Sequence, residues 1–240
     1  MSSFSYGEVE IHYEISGEGF PILLFAPGGM RSAISFWDGG PWNPIDALSP
    51  HFQVIAMDQR NAGASTAPVT ANDGWHSYTD DHIALLDHLG VTQCHVLGGC
   101  IGGPYCLGLM ERAPDRVASA VLQQTIGFDG NREAFYEMFD GWAEKLKASR
   151  EDITDEALAQ FRSNMYDGDF VFAVDRDFVR ECPIPMLLLM GNDLYHPQST
   201  SREIADLAPN ATLVEKWKEP EIADQTVDTV IDFLKTNTPG

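Results

Sequence analysis

The chain has 240 residues, 36 acidic against 15 basic side chains, and a formal net charge of −21. That charge repels nucleic acid and anionic membrane, which excludes both as partners and leaves a small molecule as the expected one. An apolar content of 44% supports a full core and excludes disorder for the bulk of the chain.

The N-terminal residues carry neither the basic nor the apolar part of a signal peptide, and no apolar run nears the ~20 residues of a membrane span. The cysteines (Cys94, Cys100, Cys106 and Cys182) form no CxxC pair. A reduced, cytoplasmic chain is the expectation. A homodimer is left open.

Strand and helix signals alternate. Glu8 to Ile15 has the period-two pattern of a half-exposed strand. Ile22 to Ala26 and Gln53 to Met57 are apolar on both faces, as in the middle of a parallel sheet. Thr79 opens a helix that stops at Gly90. Gln93 to Leu97 is a strand running into Gly98-Gly99-Cys100-Ile101-Gly102, followed by a helix to about Ala113 and a strand from Ala118 to Gln123. From Phe128 to about Arg180 the periodicity is helical and no buried strand appears. The chain closes with a strand at Pro185–Met190, a helix from about Ser199 to Leu207, a strand at Thr212–Trp217 and a helix at Ile222–Leu234. This alternation predicts an α/β fold, a mostly parallel central sheet flanked by helices. Residues 1–127 and 181–240 form its core, and 128–180 a small helical cap. Ligands in such sheets sit beyond the carboxyl ends of the strands.

The strongest motif lies at one such end. Gly98-Gly99-Cys100-Ile101-Gly102, between strand and helix, has the glycine–nucleophile–glycine spacing of a nucleophile elbow, with Cys where Ser is usual. A sharp reversal forces the nucleophile into strained backbone, and the residues two positions either side must be small. The sulfur then sits at a helix N-terminus, where the dipole and free N–H groups favour a thiolate. No Gly-Lys-[Ser/Thr] follows, so a phosphate loop does not fit.

With this elbow the chain resembles the α/β-hydrolase superfamily over nearly its whole length. Ala26-Pro27-Gly28-Gly29-Met30 stands where that family keeps its oxyanion loop, Ala26-Pro27 replacing the usual His-Gly. Asp58-Gln59-Arg60-Asn61-Ala62-Gly63-Ala64-Ser65 is similar to its D-x-R-G-x-G-x-S turn, with Asn61 in a Gly position. Asp193 sits where the family's acid follows a late strand. The resemblance implies Cys100 as nucleophile, Asp193 as acid, and Gly28, Gly29 and Ile101 as the backbone oxyanion hole. No metal-ligand spacing occurs, and no cofactor is called for.

One departure matters. The family's catalytic His follows the last strand, but no histidine lies beyond His196. Of the seven, His12, His51, His82, His88 and His95 read as structural. His196, three residues past Asp193 on a loop at the correct end of the sheet, is the candidate base; His76, ahead of a helix, is the other. Met30, His76, Tyr136 and Trp142 are expected to line a pocket for an apolar or aromatic ligand. A thiol with a free pKa of ~8.5 ionises with less help than a serine hydroxyl, but deacylation still needs a base for water. The reading is a Cys-dependent hydrolase of an ester, thioester, lactone or activated C–C bond. The alternatives are a ligand-binding scaffold without turnover, or a lyase or other cofactor-independent enzyme using the same pocket.

Overall fold

Eight short strands build one sheet in the order β1-β2-β4-β3-β5-β6-β7-β8 in the computed structural model, which describes residues 2–240. The strands are β1 (Ser2–Tyr6), β2 (Val9–Ser16), β3 (Pro21–Phe25), β4 (Gln53–Met57), β5 (Cys94–Gly99), β6 (Val117–Gln123), β7 (Met186–Leu189) and β8 (Ala211–Val214). β1 and β2 are antiparallel, and the remaining pairings are parallel. The apolar-on-both-faces strands are the central ones: Ile22 to Phe25 and Val54 to Met57 are essentially solvent-free, because helices cover both sides.

The helices are α1 (Pro44–Leu48), α2 (Trp75–His88), α3 (Gly102–Arg112), α4 (Arg132–Ser149), α5 (Asp155–Tyr166), α6 (Arg176–Glu181), α7 (Gln198–Leu207) and α8 (Ala223–Thr236). Helices α4, α5 and α6 intervene between β6 and β7. The fold is thus the expected α/β-hydrolase arrangement of sheet and flanking helices. No helix among the described residues is long and apolar enough to cross a membrane.

Strand β1 was not expected, and among the expected elements two boundaries differ most. Helix α2 begins a turn before Thr79, at Trp75, because the Trp75 indole reaches across to the Met165 carbonyl at 2.7 Å and Ser77 closes the first turn on Gly74. Strand β8 ends at Val214 rather than Trp217. Trp217 turns inward, 1% exposed, and its indole N–H donates to the Met190 carbonyl at 2.8 Å.

The turn after β4 is structural. Asp58 accepts the backbone N–H groups of Ile34 and Ala64, both at 2.8 Å. Arg60 is buried and bound to Asp81 through two nitrogens at 2.7 Å and to Asp73 at 2.9 Å. Asn61 holds the left-handed φ of 56° that glycine supplies elsewhere, and its side chain accepts the Ala67 N–H at 3.0 Å.

Candidate active site

Cys100 sits at the carboxyl end of β5 with φ of 59°, a left-handed conformation costly for a side chain with a Cβ. The flanking glycines make room for it. A Cβ on Gly98 would lie 2.0 Å from the Gly102 carbonyl oxygen, and one on Gly102 would lie 2.3 Å from that of Phe25. The Cys100 N–H is held by the Gln123 carbonyl at 3.0 Å. Its thiol is half-buried at the start of α3.

The loop after β3 faces it. Gly28 has φ of 121°, open to glycine alone in practice, and a Cβ on Gly29 would meet the Met138 sulfur at 2.6 Å. Ser32 donates to the Ala26 carbonyl at 2.5 Å and accepts, through its own carbonyl, the Gln59 N–H at 3.0 Å, so the loop is pinned from both sides. The N–H groups of Gly28 and Ile101 lie near enough to the Cys100 sulfur to favour its ionised form.

The loop after β7 supplies the third wall. Asp193 Oδ1 accepts the N–H groups of Tyr195 at 3.0 Å and His196 at 3.1 Å, folding the loop back on itself. The same oxygen lies 2.7 Å from His196 Nδ1. Gly191 permits this return, since a Cβ there would stand 2.5 Å from that of His196. Nε2 of His196 is buried, makes no hydrogen bond of normal geometry, and lies close enough to the Cys100 thiol for each to set the other's ionisation.

Charge follows from this packing. Burial pushes the Cys100 thiol up, but the contact and charge of His196 and the Gly28 and Ile101 N–H groups outweigh it, and the thiol titrates below its ordinary value. Burial pulls His196 down, yet Cys100 and Asp193 hold it above the ordinary imidazole value. Asp193 is lowered: desolvation opposes ionisation, and the His196 contacts overcome it. The other thiols go the other way. Burial raises Cys94 to about 12 and also raises Cys106 and Cys182.

A cavity of about 250 Å³ opens over Cys100, bounded by Gly28, Gly29, Arg31, Ile101, Ile126, Phe135, Met138, Tyr166, Tyr195 and His196. The four expected pocket residues are not on this wall. His76 is exposed at the first turn of α2 and borders separate surface grooves. Tyr136 points off the outer side of α4, bonded to Asp167 with the Arg162 guanidinium over its ring at 4.6 Å. Trp142 packs against Phe139 and Phe161 in the interior of the helical segment. Met30 is buried with its sulfur 3.4 Å from the Tyr166 hydroxyl, and Tyr166 forms the wall. Arg31, Met138 and Tyr195 stand on the wall without a motif to mark them; only adjacency to the glycine loop for Arg31 and to His196 for Tyr195 signals them in the sequence.

Four of the remaining histidines are engaged elsewhere, and His51 is exposed on the turn after α1. His82 is fully buried against Phe25 and Gln59, and burial lowers it to about 3; His95 bonds Ser119 and Thr238 and is lowered to about 4. His12 lies beside Glu14, and His88 stacks on Phe4.

Known proteins share this frame. Residues 21–180 match the family model described as alpha/beta hydrolase fold. A protein named carbamate hydrolase RutD from Azorhizobium caulinodans is 37% identical over 119 residues, which are 48% of this chain and 41% of that protein, so the chain matches less than half of that relative's length. The 2-hydroxymuconate semialdehyde hydrolase of Pseudomonas putida is 26% identical over 91% of this chain and 88% of its own. The solved meta-cleavage product hydrolase of Pseudomonas fluorescens superposes with a TM-score of 0.75 at 23% identity, covering 99% of this chain and 98% of that one. The chain belongs to the α/β-hydrolase fold family.

Proposed function

We propose that the protein is a thiol-dependent hydrolase of small acyl compounds, with Cys100 as nucleophile, His196 as acid and base, and Asp193 orienting the imidazole. The observation that carries it is the convergence of three strand ends: a strained Cys100, two backbone N–H groups near it, and a His196–Asp193 pair 2.7 Å apart beside it. The names of its relatives refer to a carbamate and to 2-hydroxymuconate semialdehyde, both small carbonyl compounds.

The chemistry runs in two halves. The Cys100 thiolate attacks the carbonyl carbon, and the developing oxyanion takes the N–H groups of Gly28 and Ile101. Each such donor is worth ~10²–10³ in rate. The His196 imidazolium gives its Nε2 proton to the leaving group as the bond to it breaks, leaving a thioester. Water then attacks the thioester while the neutral His196 takes its proton, and thiol and acid are released. Asp193 accepts from Nδ1–H throughout, which fixes the tautomer that keeps Nε2 toward the sulfur. Helices α4 and α5 act as a cap whose Phe135, Met138 and Tyr166 exclude water from one side of the pocket. The placement of an acid–base pair beside the thiol favours turnover over a ligand-binding scaffold, which has no use for one.

Incubation with p-nitrophenyl esters tests this by mass spectrometry and release of nitrophenol. A transient acyl group on Cys100, with Cys94, Cys106 and Cys182 untouched, is the expected result. Cys100→Ala should lose about 10³-fold or more in kcat/KM. Undiminished hydrolysis by that variant would sink the proposal.

A further inference from the structure

We propose that Arg31 is an anion subsite, so that the pocket takes an acyl compound carrying a carboxylate at the end remote from the scissile carbonyl. The inference rests on the thiol-hydrolase reading and names its substrate class.

Arg31 ends the short 3-10 turn Gly29–Arg31, two residues past the glycine pair that faces Cys100, and it borders the same cavity as Cys100 and His196. The rest of that wall is neutral or ionises with Cys100 itself: it contains no Asp or Glu, and Asp193 lies outside it, beyond His196. This is notable in a chain of net charge −21. Most of its arginines are held by carboxylates, Arg60, Arg116, Arg150, Arg162 and Arg176 among them. Arg31 makes no ion pair among the described residues and is exposed. A permanent cation left without an acid, at the mouth of a pocket lined by Ile126, Phe135 and Met138, has its five N–H donors free for a ligand.

The side chain is also steadied. Its guanidinium lies over the Phe36 ring, 5.7 Å from the centroid, and the same ring packs against Gly28. The planar fork is thereby held beside the oxyanion loop, where it matches a carboxylate through two N–H bonds. The cavity of about 250 Å³ is below the ~300 Å³ at which drug-sized sites begin. A short apolar spacer between the acyl carbon at Cys100 and the carboxylate at Arg31 satisfies both ends and the wall between them.

The test compares two esters of equal chain length, mono-p-nitrophenyl adipate and p-nitrophenyl hexanoate, on the wild type, Arg31→Gln and Arg31→Lys. A lost charge-assisted contact should raise KM for the adipate ester about tenfold or more in Arg31→Gln, with kcat little changed. Hexanoate kinetics should stay within about twofold, and Arg31→Lys should recover part of the loss. Equal effects on both esters, or no effect on either, overturn the subsite. A second arm does not depend on turnover: calorimetric titration with adipate and with its neutral diamide. Wild type should favour adipate by about tenfold and Arg31→Gln should not. If neither ester is hydrolysed but this preference appears, the hydrolase reading fails and the anion site stands. If the preference is absent, the anion site fails whatever the esters do.

Discussion

His196 and Cys100 are each shifted toward their charged forms, and the shifts depend on one another. The lowered thiol and raised imidazole bring the two titrations toward each other, which favours the thiolate–imidazolium form of the pair. The sign follows directly. Reactivity of Cys100 rises as pH climbs through the depressed thiol pKa, so its iodoacetamide profile should turn up below the ~8.5 of a free cysteine. The charged His196 is lost as pH rises through its raised value, so the acid-assisted half of hydrolysis should fall on that limb, giving a bell whose two limbs belong to the pair. In His196→Ala the alkylation profile should move up toward ~8.5, and steady-state hydrolysis should drop by about 10²–10⁴. An unshifted profile would mean that the helix terminus and the N–H groups alone ionise the thiol. The same residues show what sequence can reveal. Cys100 was legible because the elbow is a local constraint: Gly98 and Gly102 are required by a turn that spans five residues. His196 was legible only through its nearness to Asp193 in sequence, since the loop's return is set by Gly191 and by three hydrogen bonds to Asp193. The wall was not legible, because it depends on how α4 is rotated and how far along it the pocket lies. Phe135 and Met138 share its inner face. Relative to Phe135, Tyr136 is turned about 100° around the axis, and Trp142 stands roughly 10 Å along it.

At the scale of elements, the loop of Asp193 and His196 leans on the segment after β8, where the sequence resemblance leads one to expect a histidine and the chain has none. Trp217 occupies that segment, and its indole N–H holds the Met190 carbonyl at the start of the loop, while Thr226 on α8 holds the Trp217 carbonyl at 2.8 Å. Lys218 donates to the Asn192 side chain at 2.6 Å, and Asn131 donates to the Leu194 carbonyl at 2.7 Å from the other side. Trp217 is thus a brace for the loop that carries Asp193 and His196, the proposed acid and base. Trp217→Phe keeps most of the apolar volume and removes the donor. It should cost about 1–3 kcal/mol of stability, the penalty of a buried acceptor left unmet. It should also lower kcat more than it raises KM, because His196 is then less well aimed. Chemical denaturation and steady-state kinetics read the two effects separately. A stability loss with kcat intact would make Trp217 a packing residue only.

Over the whole molecule, the acidic excess is spread across the surface, and most of the ion pairs are at least partly exposed. Exposed pairs of that kind contribute ~0–1 kcal/mol each. Uniform repulsion among carboxylates acts in the opposite direction and over a longer range, since the Debye length is ~10 Å at 0.1 M salt. Added salt therefore screens more repulsion than attraction. The buried Arg60 pairs with Asp73 and Asp81 lie out of reach of counterions and are screened much less. Raising NaCl from about 10 to 300 mM should increase stability by about 1 kcal/mol, or ~2–4 °C in Tm for a chain of this size. Scanning calorimetry at constant pH provides the check. Potassium chloride should behave as sodium chloride does, because the effect is screening rather than specific ion binding. A fall in Tm with salt would mean that the surface pairs, not the excess carboxylates, dominate the electrostatics of the folded state. In that case the unpaired Arg31 would be more anomalous still, as the one cation of the pocket wall that the fold leaves unused.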